Sequence, residues 1–448
     1  MTQNPSLPAS DPKPTVGEYN AFVLKYAWRN FALNVLDGGV YAIGVVLVQP
    51  ETVLSGFISD CISGAPGLEP HKNTLVGLMT LIIMACFMMP QQLWAAKLTE
   101  GRPLLKKPLI ILAFIERMPW LLMGMMTALV AGKSPVLALY LFLAIIFSYH
   151  SIIGIVSPVW QELVAKVTPV QRRGLLFGVR ESLGGVLGFG ALTVVNHFLP
   201  KLAFPSSYTL IFFATFGFMF ISAMPLFFLK EPAYPIERRE RTMREYLRDV
   251  ADIVRSDKSF RRYFWCRALL SLSQIAAAPL FAIRAIEVLG ARAPVVLMVE
   301  MTMVITLSRV VFSILIGPLG DWFGYRVIMG FSAIAAAGSI VFALVASTPP
   351  GFYVAYALST FFALAFWLGH SNYILELAPL EKRPSYISLD NMSGLPFFAA
   401  PIIGGWLADK VGYTAPFVIG AFFAAAAAAG FFSVVAEPRK SLRTDLVS

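Results

Sequence analysis

The polar segment that separates two long apolar runs in the C-terminal half reads Gly317-Pro318-Leu319-Gly320-Asp321-Trp322-Phe323-Gly324-Tyr325-Arg326. The flanking runs cover residues 295–316 and 327–346. Each is about 20 residues long, which is the length that a helix needs to cross the hydrocarbon core of a membrane. The segment places a carboxylate, glycines and a terminal arginine between these runs, so it predicts a tight turn between two membrane helices.

Composition extends this interpretation to the whole chain. Hydrophobic residues make up 57% of the sequence and charged residues 14%, and the mean hydropathy is +0.70. A soluble protein of 49.1 kDa could not bury so much apolar surface in its own core. The net charge of +10 would favour nucleic acid in a soluble protein. Here the basic residues lie in short links between apolar runs, which favours a lipid bilayer as the partner and no nucleic acid.

Cysteines and the N-terminal segment exclude two further classes. Cys86 and Cys266 lie inside apolar runs and Cys61 stands alone in the first loop, so no disulfide framework is expected. Residues 1–18 are polar and proline-rich and lack the basic and apolar regions of a cleaved signal peptide. We expect a short disordered tail over residues 1–26.

Twelve apolar runs are long enough to be membrane helices. They cover residues 31–47, 75–93, 109–130, 136–156, 175–198, 210–228, 263–282, 295–316, 327–346, 353–375, 387–407 and 417–435. Basic residues concentrate on the side of the N-terminus, whereas the opposite links hold only Lys72, Lys133, Lys201, Arg284, Arg292 and Lys410. Positively charged links face the cytoplasm, so both termini are predicted to be cytoplasmic in a multi-pass protein of the cell membrane.

The two halves of the chain resemble each other. Residues 169–173 and 379–383 both precede a fifth helix, Lys230-Glu231-Pro232 and Ala436-Glu437-Pro438 both follow a sixth helix, and Tyr208-Thr209 and Tyr413-Thr414 both open one. A spacing of about 205 to 210 residues at three landmarks in the same order indicates a duplicated six-helix unit.

This duplication defines the predicted domains. They are an N-terminal bundle over 27–229, a linker over 230–260, a C-terminal bundle over 261–436 and a tail over 437–448. Thr242-Met243-Arg244-Glu245 has the form of a capping box, so the linker is predicted to contain an amphipathic helix on the membrane surface. A tether between the halves is the simpler role for this helix, and a partner-binding role is the alternative.

Together, twelve helices, the 6+6 duplication, the basic central link and residues 317–326 resemble the major facilitator superfamily of transporters, whose loop signature is G-x-L-A-D-R-x-G-R/K-R/K. The resemblance implies an all-α membrane fold of two pseudo-symmetric six-helix bundles around a cavity that opens alternately to either side. It does not name a substrate, because this fold serves many kinds of solute.

The sequence departs from the family pattern at several positions. Trp322 and Tyr325 stand where basic residues are common, and residues 93–102, at the position of the first copy of the turn, lack the aspartate. Residues 405–412 match the letters better, but the predicted topology puts them on the outer side, so we interpret them as a tight turn. The glycine-rich fifth helix over 184–190 lacks the proline of the exporter signature, which leaves the direction of transport open.

Ionisable residues within the apolar runs are the leading functional candidates, because charge is costly inside a membrane. Asp37 on the first helix and Glu116 on the third are expected at a similar depth. Arg117, next to Glu116, is positioned to neutralise Asp37 across the N-terminal bundle. A carboxylate that alternates between an arginine and a proton could couple transport to protons. The alternative is a permanent ion pair that only fixes the packing.

Further candidates fall into two groups. Residues that could control access to the inner mouth are Arg173, Arg180, Glu181, Gly317, Asp321, Gly324, Arg326 and Asp390. Residues that could line a substrate path are Tyr149, His150, Arg267, Gln274, Arg309, Trp367 and His370. Asp321 is expected to contact the start of the fifth helix near Arg173. Arg267 and Arg309 could bind an anionic solute or extend to the membrane interface.

The sequence therefore predicts a secondary active transporter that moves a small organic solute by alternating access, coupled to protons. An uncoupled exchanger or facilitator of the same fold is the first alternative, and a transporter-like sensor that signals through the linker is the second. We expect neither an enzyme nor a cofactor or metal site, because no nucleophile–base pair, Walker motif or metal-ligand spacing is present. We expect the protein to be a monomer.

Overall fold

The computed structural model describes residues 15–88, 104–169, 172–233, 253, 255–290, 294–378, 386, 389–390, 397 and 399–437. The regular structure of these residues is helical. Its α-helices are α1 (Val16–Lys25), α2 (Ala27–Leu47), α3 (Ser55–Ser63), α4 (Lys72–Met88), α5 (Lys106–Met126), α6 (Pro135–Val167), α7 (Arg173–Phe198), α8 (Ser206–Ser222), α9 (Lys258–Ala277), α10 (Phe281–Leu289), α11 (Pro294–Phe323), α12 (Tyr325–Val345), α13 (Pro349–Leu377), α14 (Ala400–Val411) and α15 (Thr414–Ser433).

These helices confirm the predicted fold class. Within the described residues, ten helical segments are long and apolar enough to cross a membrane. Two shorter helices, α4 and α14, occupy the positions predicted for the second and eleventh spans. Most of the predicted eleventh span before residue 399 lies outside the described residues.

Some predicted boundaries were wrong. Helix α6 continues to Val167, well beyond the predicted end at residue 156, because Val159, Leu163 and Val167 bury one face of the extension. Helix α11 continues to Phe323, so most of the predicted turn over 317–326 is helical. The chain reverses at Gly324, which has a φ of 88° that favours glycine.

The N-terminal tail is also more ordered than predicted. Helix α1 begins with a capping box in which Thr15 and Glu18 bind each other's backbone groups, and these hydrogen bonds lower the pKa of Glu18. The Tyr19 hydroxyl donates to the carbonyl oxygen of Lys166, 3.0 Å away at the end of α6. The linker helix predicted near residue 242 lies outside the described residues, as does most of the tail after residue 437.

The helices form two bundles, which we call the N-half (residues 27–233) and the C-half (residues 255–437). Within the N-half, α2 packs against α7 and α8, and α5 packs against α6 and α8. Within the C-half, α12 packs against α13 and α15, and α9 packs against α15. The main contacts between the halves are α4 with α14 and α7 with α11.

The buried cores differ between the two ends of the bundles. We call the end where α2 and α9 begin the termini end, and the opposite end the distal end. At the distal end one buried cluster contains residues of both halves, including Leu47, Phe57, Met298 and Phe281. Toward the termini end the N-half and the C-half have separate clusters, around Leu163 and around Tyr263 and Phe431. Among the described residues, the halves are therefore packed together at the distal end and have separate cores at the termini end.

A glutamate that follows the last span of each half contacts the start of the third span of that half, which is α5 in the N-half and α12 in the C-half. After α8, Glu231 accepts hydrogen bonds from the backbone nitrogens of Leu105 and Lys106, at 2.7 and 2.9 Å, where α5 begins. After α15, Glu437 lies 3.6 Å from Arg326 at the start of α12. A side chain at Gly324 would meet the Glu437 carboxylate at 2.8 Å. The two repeated Glu-Pro landmarks therefore occupy corresponding positions in the two bundles.

Candidate functional site

An ion pair joins the first and fifth membrane spans of the N-half, which are α2 and α7. Asp37 on α2 is only 3% exposed, and its Oδ2 lies 3.5 Å from Nη1 of Arg180 on α7. The Arg180 guanidinium also stacks on the Trp160 ring, with 4.2 Å to its centroid. The Arg180 side chain crosses α2 at Gly38, where an added Cβ would collide with it. A glycine at this position therefore allows the arginine to reach Asp37.

The predicted pair between Asp37 and Arg117 is wrong. Arg117 turns toward α8, where it donates to the Met219 carbonyl oxygen and to the Ser222 hydroxyl, and it pairs with the neighbouring Glu116 at 2.8 Å. Adjacent residues on a helix point about 100° apart, and the rotation of α5 about its axis turns Arg117 toward α8 instead of toward Asp37 on α2.

Glu116 and Arg117 belong to a closed network of hydrogen bonds. They are 2% and 3% exposed. Tyr41 donates to Glu116 over 2.6 Å and its hydroxyl lies 3.0 Å from that of Tyr149. His150, the neighbour of Tyr149, places Nδ1 2.9 Å from the Ile146 carbonyl oxygen of its own helix. This network ties α2, α5, α6 and α8 together, which is the arrangement expected of a permanent ion pair that fixes packing.

A second cluster, which we call the C-half charge cluster, contains Arg267, His370 and Asp390. Arg267 Nε lies 3.1 Å from Asp390 Oδ1, and Nη1 donates to the Asp390 carbonyl oxygen. His370 Nδ1 lies 2.8 Å from Asp390 Oδ2. Among the described residues, the buried Nε2 atom of His370 has no hydrogen-bond partner. The structure thus joins two predicted path residues to a predicted gating residue, and Arg267 neither extends to the membrane surface nor stands without a counter-charge.

The pairs of the two halves correspond, with the charges exchanged. In the N-half the acid is on the first helix and the base on the fifth. In the C-half Arg267 is on the first span, α9, and Asp390 lies in the predicted fifth span, ten residues before α14 begins. Asp37 lies ten residues after the start of α2, and Arg267 lies nine after the start of α9. Among the described residues, each half therefore pairs a charge on its first span with a charge in its predicted fifth span, at a similar distance from the start of the first span.

The remaining predicted path residues are separate from these pairs. Gln274 is buried and donates to the Ala336 carbonyl oxygen at 3.1 Å and to the Ser339 hydroxyl at 3.3 Å, so it links α9 to α12. Arg309 is exposed. Trp367 is 65% exposed, with its ring 5.3 Å from that of His370. Arg309 and Trp367 are thus the path candidates whose side chains are accessible.

The predicted gating residues do not form one site. Arg173 donates to the Ala165 carbonyl oxygen at 2.5 Å, within the N-half. Arg326 binds the end of α15 through Glu437 and the Val435 carbonyl oxygen, within the C-half. Glu181 is exposed, and Gly317 lies inside α11. The side chain of Asp321 is outside the described structure, so its expected contact near Arg173 stays a prediction.

Sequence reasoning missed several partners. Tyr41 was not selected, because aromatic residues are common in membrane helices and their spacing does not show which ones face a charge. Asp409 was interpreted only as part of a tight turn over 405–412. The turn exists, with a φ of 83° at Gly412, but Asp409 also contacts the other half of the molecule. Its match to the loop signature was the available signal.

Comparison with known proteins identifies the family that this architecture resembles. Residues 263–446 match the family model described as Major Facilitator Superfamily. A solved structure of the nucleoside transporter NupG, in a mutant form, is 14% identical, with a TM-score of 0.65 over 90% of this chain and 99% of NupG. The resemblance to the major facilitator superfamily is confirmed.

Two further solved structures of transporters are similar to this chain. A D-xylose-proton symporter is 15% identical, with a TM-score of 0.65 over 92% of this chain and 98% of the symporter. The xylose transporter XylE from E. coli, in a partially occluded inward-open conformation, is 14% identical, with a TM-score of 0.61 over 92% and 98% of the two chains. No curated protein matches the sequence. At these identities the structures share the fold with this protein, and they do not transfer a substrate to it.

Proposed function

We propose that this protein is a secondary active transporter that moves a small organic solute by alternating access and couples this movement to protons. Two bundles that share a core at one end and have separate cores at the other support the proposal. Such a molecule can expose a central site to either side by rocking one half against the other. The basic links favour a cytoplasmic position for the termini end. The described conformation is then closed toward the outside.

The observation that best supports proton coupling is the ion pair between Asp37 and Arg180. A single long contact of 3.5 Å connects the two charges, whereas Glu116 is held by Arg117 and Tyr41 at 2.8 and 2.6 Å. Arg180 keeps a favourable partner in Trp160 when it leaves Asp37. The pair between Asp37 and Arg180 is therefore easier to separate than the pair between Glu116 and Arg117.

Movement of α7 offers a way to separate the pair. Helix α7 packs against α11 of the C-half, where a side chain at Gly185 would meet Val310 at 2.6 Å. A rocking movement between the halves therefore acts on the helix that bears Arg180. A buried carboxylate that loses its counter-charge is costly, which favours uptake of a proton by Asp37. We propose Asp37 as the proton carrier, with Arg180 in the role first considered for Arg117.

The names of the similar solved structures suggest which solutes to test first. NupG is named as a nucleoside transporter, and two similar structures are named as a D-xylose-proton symporter and a xylose transporter. Nucleosides and pentoses are therefore the first solutes to test. A thermal-shift screen of the purified protein identifies binders, because a ligand of the folded state raises its apparent stability.

Transport of the best binder is then measured in liposomes. The parent protein should concentrate the solute when a pH gradient is imposed. Asp37→Asn should exchange labelled for unlabelled solute at a rate close to that of the parent, but it should not concentrate the solute. Glu116→Gln is the matched control for loss of another buried carboxylate in the same half. Accumulation by Asp37→Asn at the parent level would exclude Asp37 as the carrier.

Uncoupled exchange or facilitation is the second candidate function, and the fully satisfied pair of Glu116 and Arg117 favours it. It would be supported if the parent equilibrates the solute but never concentrates it. A sensor would bind the solute and move none of it.

A further inference from the structure

A carboxylate of the C-half binds the start of a helix of the N-half at the distal end. Asp409, near the end of α14, accepts hydrogen bonds from the backbone nitrogens of Asn73 and Thr74 at 3.0 and 2.8 Å. It also accepts from the Asn73 amide at 2.9 Å and from the Thr74 hydroxyl at 2.6 Å. Both oxygens of the carboxylate therefore bind the first turn of α4, where backbone N–H groups lack partners within the helix.

The two helices approach each other closely on both sides of this contact. A Cβ added at Gly77 of α4 would collide with the carbonyl oxygen of Pro401, and one added at Gly405 of α14 would collide with that of Asn73. Each helix thus presents a glycine to the backbone of the other. Only a hydrogen atom fits between the backbones, so the contact requires these glycines in the closed arrangement.

Neighbouring residues add polar contacts across the same boundary. The Tyr413 hydroxyl donates to the Asn73 side-chain oxygen at 3.2 Å. Burial raises the pKa of Tyr413, so its hydroxyl keeps the proton that it donates. Lys72 lies 3.5 Å from Glu287 of α10 in the C-half. Asp409, Tyr413 and Glu287 of the C-half therefore all make polar contacts with residues 72–74 of the N-half.

We propose that Asp409 is a latch that holds the distal end closed and must release α4 before that end can open. A carboxylate suits this role, since it satisfies N–H groups at a helix start and is attracted to the positive end of the helix dipole. These contacts join parts of the chain more than 330 residues apart that separate only when the halves do. Asp409 lies in residues 405–412, which resemble the loop signature but lie at the opposite end from residues 317–326.

The latch rests on the proposed alternating access, so its test measures conformation and not transport. The reporter is Thr302→Cys in a protein whose three native cysteines are replaced by Ser. Thr302 is buried at the distal end against Thr52 of the other half, with 2.5 Å between the hydroxyls. A membrane-impermeant maleimide added from the distal side should modify the parent slowly. Asp409→Asn should raise the labelling rate about tenfold, which corresponds to ~1.4 kcal/mol in favour of the open state.

Three further variants make the test specific. Asp60→Asn is the matched control, because Asp60 is also near the distal end but binds Tyr208 of its own half at 2.9 Å. It should leave labelling unchanged. Thr74→Val removes one donor and should raise labelling by a smaller factor. Combined with Asp409→Asn, it should add nothing further.

Several results would overturn the latch. One is labelling of a folded Asp409→Asn protein at the parent rate, and another is an equal increase in Asp60→Asn, which would indicate general loosening. If Asp409→Asn does not fold, Thr74→Val decides the question by the same measurement: faster labelling supports the latch and an unchanged rate refutes it. Faster labelling of Asp409→Asn in a protein whose parent transports no solute would count against the proposed function and not against the latch.

Discussion

Removing the carboxylate of Glu231 should destabilise the N-half strongly. Its Oε1 lies 2.7 Å from the Lys166 ammonium, and the two side chains are 3% and 0% exposed. Glu231→Ala takes away the charge that neutralises a fully buried lysine. Breaking a buried ion pair from one side costs about 3–5 kcal/mol, because the remaining charge is uncompensated. The same change removes the acceptor for two N–H groups at the start of α5, which adds about 0.5–2 kcal/mol.

A double variant separates these two contributions. Lys166→Met in the Glu231→Ala background removes the uncompensated charge and leaves only the lost acceptor. The double variant should therefore recover most of the stability and lie within about 2 kcal/mol of the parent. Glu181→Ala is the control for loss of an exposed carboxylate and should stay within about 0.5 kcal/mol of the parent.

The assay is denaturant-induced unfolding of the purified protein in mixed micelles, followed by far-ultraviolet circular dichroism. It compares the free energy of unfolding of the parent, the single variant, the double variant and the control. A loss below about 1 kcal/mol in Glu231→Ala would refute the argument, as would a double variant no more stable than the single one.

Two further predictions concern the charge pairs. Gly38→Ala should displace the Arg180 side chain and reduce accumulation of solute in liposomes. Gly178→Ala is the control, because its new methyl group meets nothing within 4 Å, and it should accumulate solute at the parent level. Equal accumulation by both variants would contradict the prediction. Arg267→Gln removes the cation of the C-half charge cluster and should lower the midpoint of thermal unfolding. Arg309→Gln changes an exposed residue and should lower this midpoint less. Equal midpoints would show that the cluster does not stabilise the fold.

The sequence was sufficient to predict the architecture, because helix length and the periodic recurrence of apolar runs depend on local composition. The positions of the helices and the correspondence of Glu231 with Glu437 followed from this information. The end of α6 did not, because its last turns bury one face against other helices instead of crossing the membrane. The turn at residues 317–326 was predicted too long, because helix α11 continues through Pro318 and ends only at Phe323, before Gly324.

The partners of the buried charges could not be predicted in the same way. Asp37 was correctly selected as a buried carboxylate, but its partner depends on the rotation of α5 and α7 about their axes. This rotation places Arg180 across Gly38 and turns Arg117 toward α8. Sequence spacing gives an approximate depth for each charge and does not give the direction of its side chain. The contact of Asp409 with α4 depends in addition on how the two halves meet.

The most direct test of the central claim records solute uptake and internal pH together in the same liposomes. The parent protein is reconstituted with a pH-sensitive dye inside, the membrane potential is clamped with valinomycin and potassium, and the best-binding solute is added outside. Proton-coupled transport predicts a change of internal pH that starts with solute entry and increases in proportion to its rate. The same change should be absent in Asp37→Asn. Solute uptake by the parent without any accompanying change of internal pH would contradict the account.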